Sequence, residues 1–173
     1  KTVLEAGLPF QVFRQPQPSS IPPLRLPRDV VIDLFDSGHL NTTPDAFGIL
    51  PTGAAPEPVV LFAPNGSVSA VYQGYTDGSV VVYEGNPVMN PIFLMIGKWE
   101  RTRDAAGNTM AEDGLCNWQD ATNLWMAINP ANGFVTTAEV CAEGTDATGR
   151  SVPPTIADSR RYAREAQISK GAL

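Results

Sequence analysis

A chain of 173 residues that is 43% apolar and 17% charged has a globular composition. Its length allows a core without metal or disulfide staples. A net charge of −6, with no basic stripe interleaved with aromatics, argues against nucleic acid and against an anionic membrane surface as partners. No apolar run reaches the roughly 18 residues of a membrane-crossing helix.

In chain order, residues 1–7 read as a lead-in or helix remnant, and residues 8–14 (LPFQVFR) alternate as a strand does. Residues 15–27 carry Pro16, Pro18, Pro22, Pro23 and Pro27. Each proline fixes φ and removes a donor, so this stretch predicts an extended surface arm. Residues 30–35 (VVIDLF) predict a strand with Val30, Ile32 and Leu34 on one face and Asp33 on the other. Asp36 to His39 predict a turn, and residues 40–57 a long loop.

Residues 59–63 and 67–72 flank Pro64-Asn65-Gly66, a strong hairpin signal. Residues 79–83 (SVVVY) predict a further short strand. Residues 91–97 (PIFLMIG) are apolar on both faces and bounded by Pro and Gly, the pattern of a central strand. Residues 98–122 predict a loop with one helical turn at Trp118–Thr122. Residues 124–128 (LWMAI) and 134–140 (FVTTAEV), joined by Asn129-Pro130-Ala131-Asn132-Gly133, predict a second hairpin. After a loop ending in Pro153-Pro154, residues 156–169 predict a helix capped by Thr155 or Asp158. Its modest apolar face holds Tyr162, Ala163 and Ala166, too weak for a central pillar, so the helix should lie on the sheet or on a neighbouring subunit. These elements predict a single domain over residues 1–173. The fold class is mainly β (α+β): an antiparallel sheet of several hairpins with a C-terminal helix.

Chemistry-bearing residues are sparse. His39 follows Asp36 and Ser37, but no nucleophile elbow or cysteine-protease context occurs. Asp33 with Asp36, and Glu112 with Asp113, form the carboxylate clusters. Asp104, Asn108 and Glu112 recur every four residues without the spacing of a calcium loop, so no cofactor is expected and structural calcium is a minor alternative. Cys116 and Cys141 fit no zinc pattern. An even pair predicts one disulfide, with two buried thiols as the alternative.

Four segments carry a family resemblance: residues 59–71 (VVLFAPNGSVSAV), 91–98 (PIFLMIGK), 123–140 (NLWMAINPANGFVTTAEV) and 159–167 (SRRYAREAQ). Together they resemble bacterial type II secretion and type IV pilus-like pseudopilins, and more narrowly the H-type minor pseudopilins. That resemblance implies a pilin-head-like fold and a structural, non-enzymatic role. It implies other pilin or pseudopilin subunits as partners. It further implies a prepilin helix ahead of residue 1 as the membrane anchor, with the head in the periplasm or at the cell surface. Two other functions compete. A secreted carbohydrate- or ligand-binding β-module would need a concave face built from Trp99, Trp118, Tyr72, Tyr75 or Tyr83. An extracellular hydrolase would need His39 in a pocket beside an acid or nucleophile.

Overall fold

The computed structural model describes residues 17–39, 47, 58–77, 80–86, 88–104, 107–141, 144–145, 151–152 and 154–169. Two adjacent strands set the architecture because both are apolar on both faces. They are β5 (Ile92–Lys98) and β6 (Leu124–Ile128) in chain order, and such strands need cover on both sides. They form the middle of a four-stranded antiparallel sheet, flanked by β1 (Val30–Gly38) and β7 (Val135–Glu139), in the order β1-β5-β6-β7. On one face Phe93, Met95, Trp125 and Ala127 pack with Val140 and with Ala163 of helix α1 (Ile156–Ser169). The Phe93 and Trp125 rings meet edge to face, centroids 6.1 Å apart.

On the opposite face Ile92 and Ile128 pack with Val68, Val71 and Phe47. Val68 and Val71 belong to β3 (Val68–Asp77), centre of a second sheet with β2 (Val59–Phe62) and β4 (Val80–Asn86), in the order β2-β3-β4. A short pair, β8 (Gly144–Thr145) and β9 (Ser151–Val152), is the remaining β structure among the described residues. The fold is therefore α+β and mainly β, as the sequence predicts. Residues 17–27 have no regular structure and are almost wholly exposed, as expected of the proline-rich arm. The strand expected at 8–14 and nearly all of the loop expected at 40–57 lie outside the described residues. The helical turn expected at Trp118–Thr122 is a short 3-10 turn that lies earlier, at Asn117–Gln119, preceded by another at Trp99–Arg101.

Two expectations change, the turn at Asp36–His39 and the apolar face of α1, and the buried face of β1, which alternation leaves open, is fixed. Asp36, Ser37 and Gly38 continue β1 instead of turning. Asp33 faces inward at 2% exposure, while Ile32 on the other face is 42% exposed. In α1 the buried face is Ser159, Arg160, Ala163 and Gln167, and Tyr162 points outward. Polar side chains thus bind this helix to the sheet. Trp125 Nε1 donates to Ser159 Oγ (2.7 Å) and Gln167 Nε2 donates to the Ala127 carbonyl (3.3 Å). The helix start is capped reciprocally: Thr155 Oγ1 accepts the Asp158 N–H (3.1 Å), and Asp158 Oδ2 accepts the Thr155 N–H (3.1 Å).

The two sheets also meet through their turns. In the β2–β3 connection Gly66 N–H donates to the Ala63 carbonyl and Ala63 N–H to the Ser67 carbonyl. This gives a three-residue loop closed by Gly66 at φ 88°. In the β6–β7 connection Gly133, at φ 67°, donates its N–H to the Asn129 carbonyl. Val68 N–H then donates to the Pro130 carbonyl (2.8 Å), tying turn to turn. A Cβ on Gly133 would overlap the Gly66 carbonyl oxygen, whereas one on Gly107, also left-handed, would meet open space. Gly107→Ala should therefore cost only the left-handed backbone penalty, about 1–2 kcal/mol. Gly133→Ala should add an overpacking loss of about 1–3 kcal/mol. Urea unfolding of the two variants checks this, and equal losses would contradict the turn–turn contact.

Candidate functional site: a buried polar cluster at the bulge of β1

The register of β1 against β5 breaks in the middle. Asp33 pairs with Met95 and Gly38 with Phe93, so residues 34–37 stand opposite Leu94 alone. Backbone groups in such a bulge lose their ladder partners, and buried ones must be satisfied otherwise. Side chains do this here. Asp33 Oδ1 accepts the N–H of Phe35 (3.1 Å) and of Asp36 (3.4 Å). Ser37 Oγ donates to the Asp33 carbonyl (2.7 Å) and accepts the Met95 N–H (2.9 Å).

Asn117 extends the network from the loop between β5 and β6. Its Nδ2 donates to Asp33 Oδ2 (2.8 Å) and to the Lys98 carbonyl (3.2 Å). Its Oδ1 accepts the Lys98 N–H (2.8 Å) and Asn123 Nδ2 (3.0 Å). A Cβ on Gly97 would overlap this amide, which explains a glycine in the middle of a packed sheet.

Two guanidinium groups complete the cluster. Arg103 pairs with the Asp36 carboxylate and lies 4.3 Å from the centroid of the Phe35 ring. Arg160, 1% exposed, reaches from α1 to donate to the Asp36 carbonyl (2.6 Å), beside the rings of Phe93 and Trp125. Burial and the neighbouring Asp33 charge push the Asp36 carboxyl up to about 7, more than Arg103 pulls it down. Burial also pushes the Cys116 thiol up. In the loop before Asn117, Arg101 holds Asp113 through two 2.8 Å bonds and Asp120 at 2.9 Å.

The sequence-predicted residues divide as follows. Asp33 and Asp36 are brought together, as their spacing suggested, but they face cations and amides inside the protein. Ser37 directs its hydroxyl to the Asp33 carbonyl, and the His39 ring lies 6.2 Å from that of Phe47. Asp36, Ser37 and His39 therefore do not form a relay through Ser37. Asp104 Oδ1 accepts the Asn108 N–H (2.9 Å) as part of a turn, and no group of three or more His, Cys, Asp or Glu among the described residues could hold a metal ion. The bridge expected between Cys116 and Cys141 is not formed, and both are half-buried thiols. Cys116 is fixed at the start of the 3-10 turn, its N–H donating to Gln119 Oε1 (3.0 Å). Among the aromatics proposed for a binding platform, Trp99 is exposed, Trp118 packs against the core and Tyr72 is half-buried. The side chains of Tyr75 and Tyr83 lie outside the described residues. Sequence reading missed Arg103, Asn117 and Arg160, for which only Gly97 in an apolar strand gave an indirect signal.

A groove of about 380 Å³ opens elsewhere, where α1 meets the end of β6 and β7. Leu124, Thr137, Ala138, Glu139, Tyr162 and Ala166 line it, and none of these belongs to the buried cluster. No family model, curated protein or solved structure matches this chain.

The folded chain keeps the Asp36 proton up to about pH 7, whereas an ordinary aspartate releases it near 3.8. Between those values the folded state binds more protons than the unfolded state. Through this group, stability should fall as pH rises from about 4 to about 7, then level off. Asp36→Asn should remove that slope, measured as the urea midpoint at successive pH values. An unchanged slope in the variant would contradict the assignment.

Proposed function

We propose that this chain is a structural assembly subunit, acting by burying surface against other subunits and not by turnover at a catalytic centre. One observation carries the reading: among the described residues, the sheet face opposite α1 is covered at one end only. The β2–β3 pair closes over Ile92 and Ile128. The row next to the other end has no such cover among the described residues. It holds Ile32 of β1, Ile96 of β5 and Leu124 of β6, in register across three strands. Ile32 is 42% and Leu124 is 40% exposed. Apolar side chains aligned across adjacent strands gain most from a further layer. Leu124 also borders the groove under Tyr162, which joins the open row to the outer edge of α1.

The specific form of the proposal is the globular head of a pilin-like protein in a secretion or pilus system. The resemblance of residues 59–71, 91–98, 123–140 and 159–167 to H-type minor pseudopilins supports that form. In it, pilin or pseudopilin subunits supply the missing layer, and the head works in the periplasm or at the cell surface. The buried cluster at β1 is then scaffold, its hydrogen bonds made to internal partners.

A photo-crosslinking residue at position 124, in cells making the product of the complete coding sequence, tests the proposal. Covalent adducts with pilin-type subunits are expected there, and none from the same residue at exposed Arg28. A product without adducts at position 124, or adducts equally frequent at position 28, would contradict it.

A further inference from the structure

The two Asn-Gly turns that join the sheets are alike in sequence and unlike in chemistry. Each asparagine Oδ1 accepts the N–H of the residue two positions on: Ser67 for Asn65 (3.1 Å) and Phe134 for Asn132 (2.9 Å). Asn65 Oδ1 alone has a second donor, Ser67 Oγ at 2.8 Å. Surroundings differ as well. Asn65 and Gly66 are exposed, whereas Gly133 is half-buried between the Gly66 carbonyl and the Phe62 ring.

We propose that Asn65 is a site of spontaneous covalent modification, with the Ser67 hydroxyl assisting ring closure onto Gly66. In this step the Gly66 nitrogen, its proton taken by hydroxide, attacks Cγ of Asn65. The N–Cγ bond forms and negative charge develops on Oδ1. The Cγ–Nδ2 bond then breaks, Nδ2 takes a proton from water, and ammonia leaves a five-membered succinimide. Water opens that ring at either carbonyl, giving aspartate or isoaspartate, with no change of oxidation state.

Two donors already aimed at Oδ1 act where the charge develops, as donors do in an oxyanion hole. The nucleophile is restrained in both turns, because Gly66 N–H donates to the Ala63 carbonyl and Gly133 N–H to the Asn129 carbonyl. Turn opening therefore precedes ring closure at both sites. It is harder at half-buried Gly133 than at exposed Gly66. The Ser67 hydroxyl and this difference in packing both favour Asn65.

The product would alter the fold locally. Isoaspartate adds one carbon to the main chain at the tip of the β2–β3 loop and places a new negative charge beside the β6–β7 turn. The bond from Val68 N–H to the Pro130 carbonyl lies within three residues of that change.

The test is incubation of the intact folded chain at mildly alkaline pH, followed by peptide mass mapping with isoaspartate detection. Asn65 should convert at least about threefold faster than Asn132. Ser67→Ala should slow Asn65 toward the Asn132 rate, and Ser67→Thr, which keeps the hydroxyl, should retain most of the fast rate. Equal rates at the two asparagines, an unchanged rate in Ser67→Ala, or a Ser67→Thr variant as slow as Ser67→Ala would each overturn the proposal.

Discussion

The structure depends on side chains replacing backbone partners where β1 leaves the ladder. Three amides are held this way, Phe35 and Asp36 by Asp33 and Met95 by Ser37, and Asn117 does the same for Lys98 past the end of the β5–β6 ladder. The same few residues fix three other parts of the molecule. Asn117 ties down the long connection between β5 and β6, Arg103 ties the segment after β5 to Asp36, and Arg160 ties α1 to the bulge. Asp36 Oδ2 and Arg103 Nε make no hydrogen bond among the described residues, but the bonded members favour one arrangement, because removing one leaves its partner unsatisfied inside the protein. Helix α1 owes its position to this constraint more than to apolar contact. Its buried face holds one core apolar residue, Ala163, among Ser159, Arg160 and Gln167.

That arrangement makes the two faces of the main sheet unequal. One is sealed by α1 over Trp125 and Phe93. The other is closed by the second sheet at one end and leaves Ile32, Ile96 and Leu124 in line at the other. A binding enzyme usually places its perturbed acid at a cleft, where substrate can reach it. Here the perturbed acid, Asp36, is wholly buried and the groove lies at different residues.

Much of the fold was legible because local chemistry and tertiary structure agree. The β6–β7 hairpin follows its alternation and its turn residues, with β6 at Leu124–Ile128 as the pattern predicts. Helix α1 spans Ile156–Ser169, matching the predicted residues 156–169, because Thr155 and Asp158 cap each other. Alternation could place Asp33 and Ile32 on opposite faces of β1 but could not say which face would be buried. That was decided by Asn117, 84 residues away, whose amide takes the Asp33 carboxylate inside. The burial of Arg160 was set by Asp36, 124 residues away. The expected Cys116–Cys141 bridge rested on number alone, and number carries no geometry.

The most direct measurement is native-state hydrogen exchange at the amides of Met95 and Lys98. If Ser37 and Asn117 complete the sheet, both amides should exchange only through global unfolding, as slowly as that of Trp125 in the neighbouring strand. Exchange as fast as in the exposed turn at Gly107 and Asn108 would contradict the constraint on which the arrangement of β1, the long connection and α1 rests.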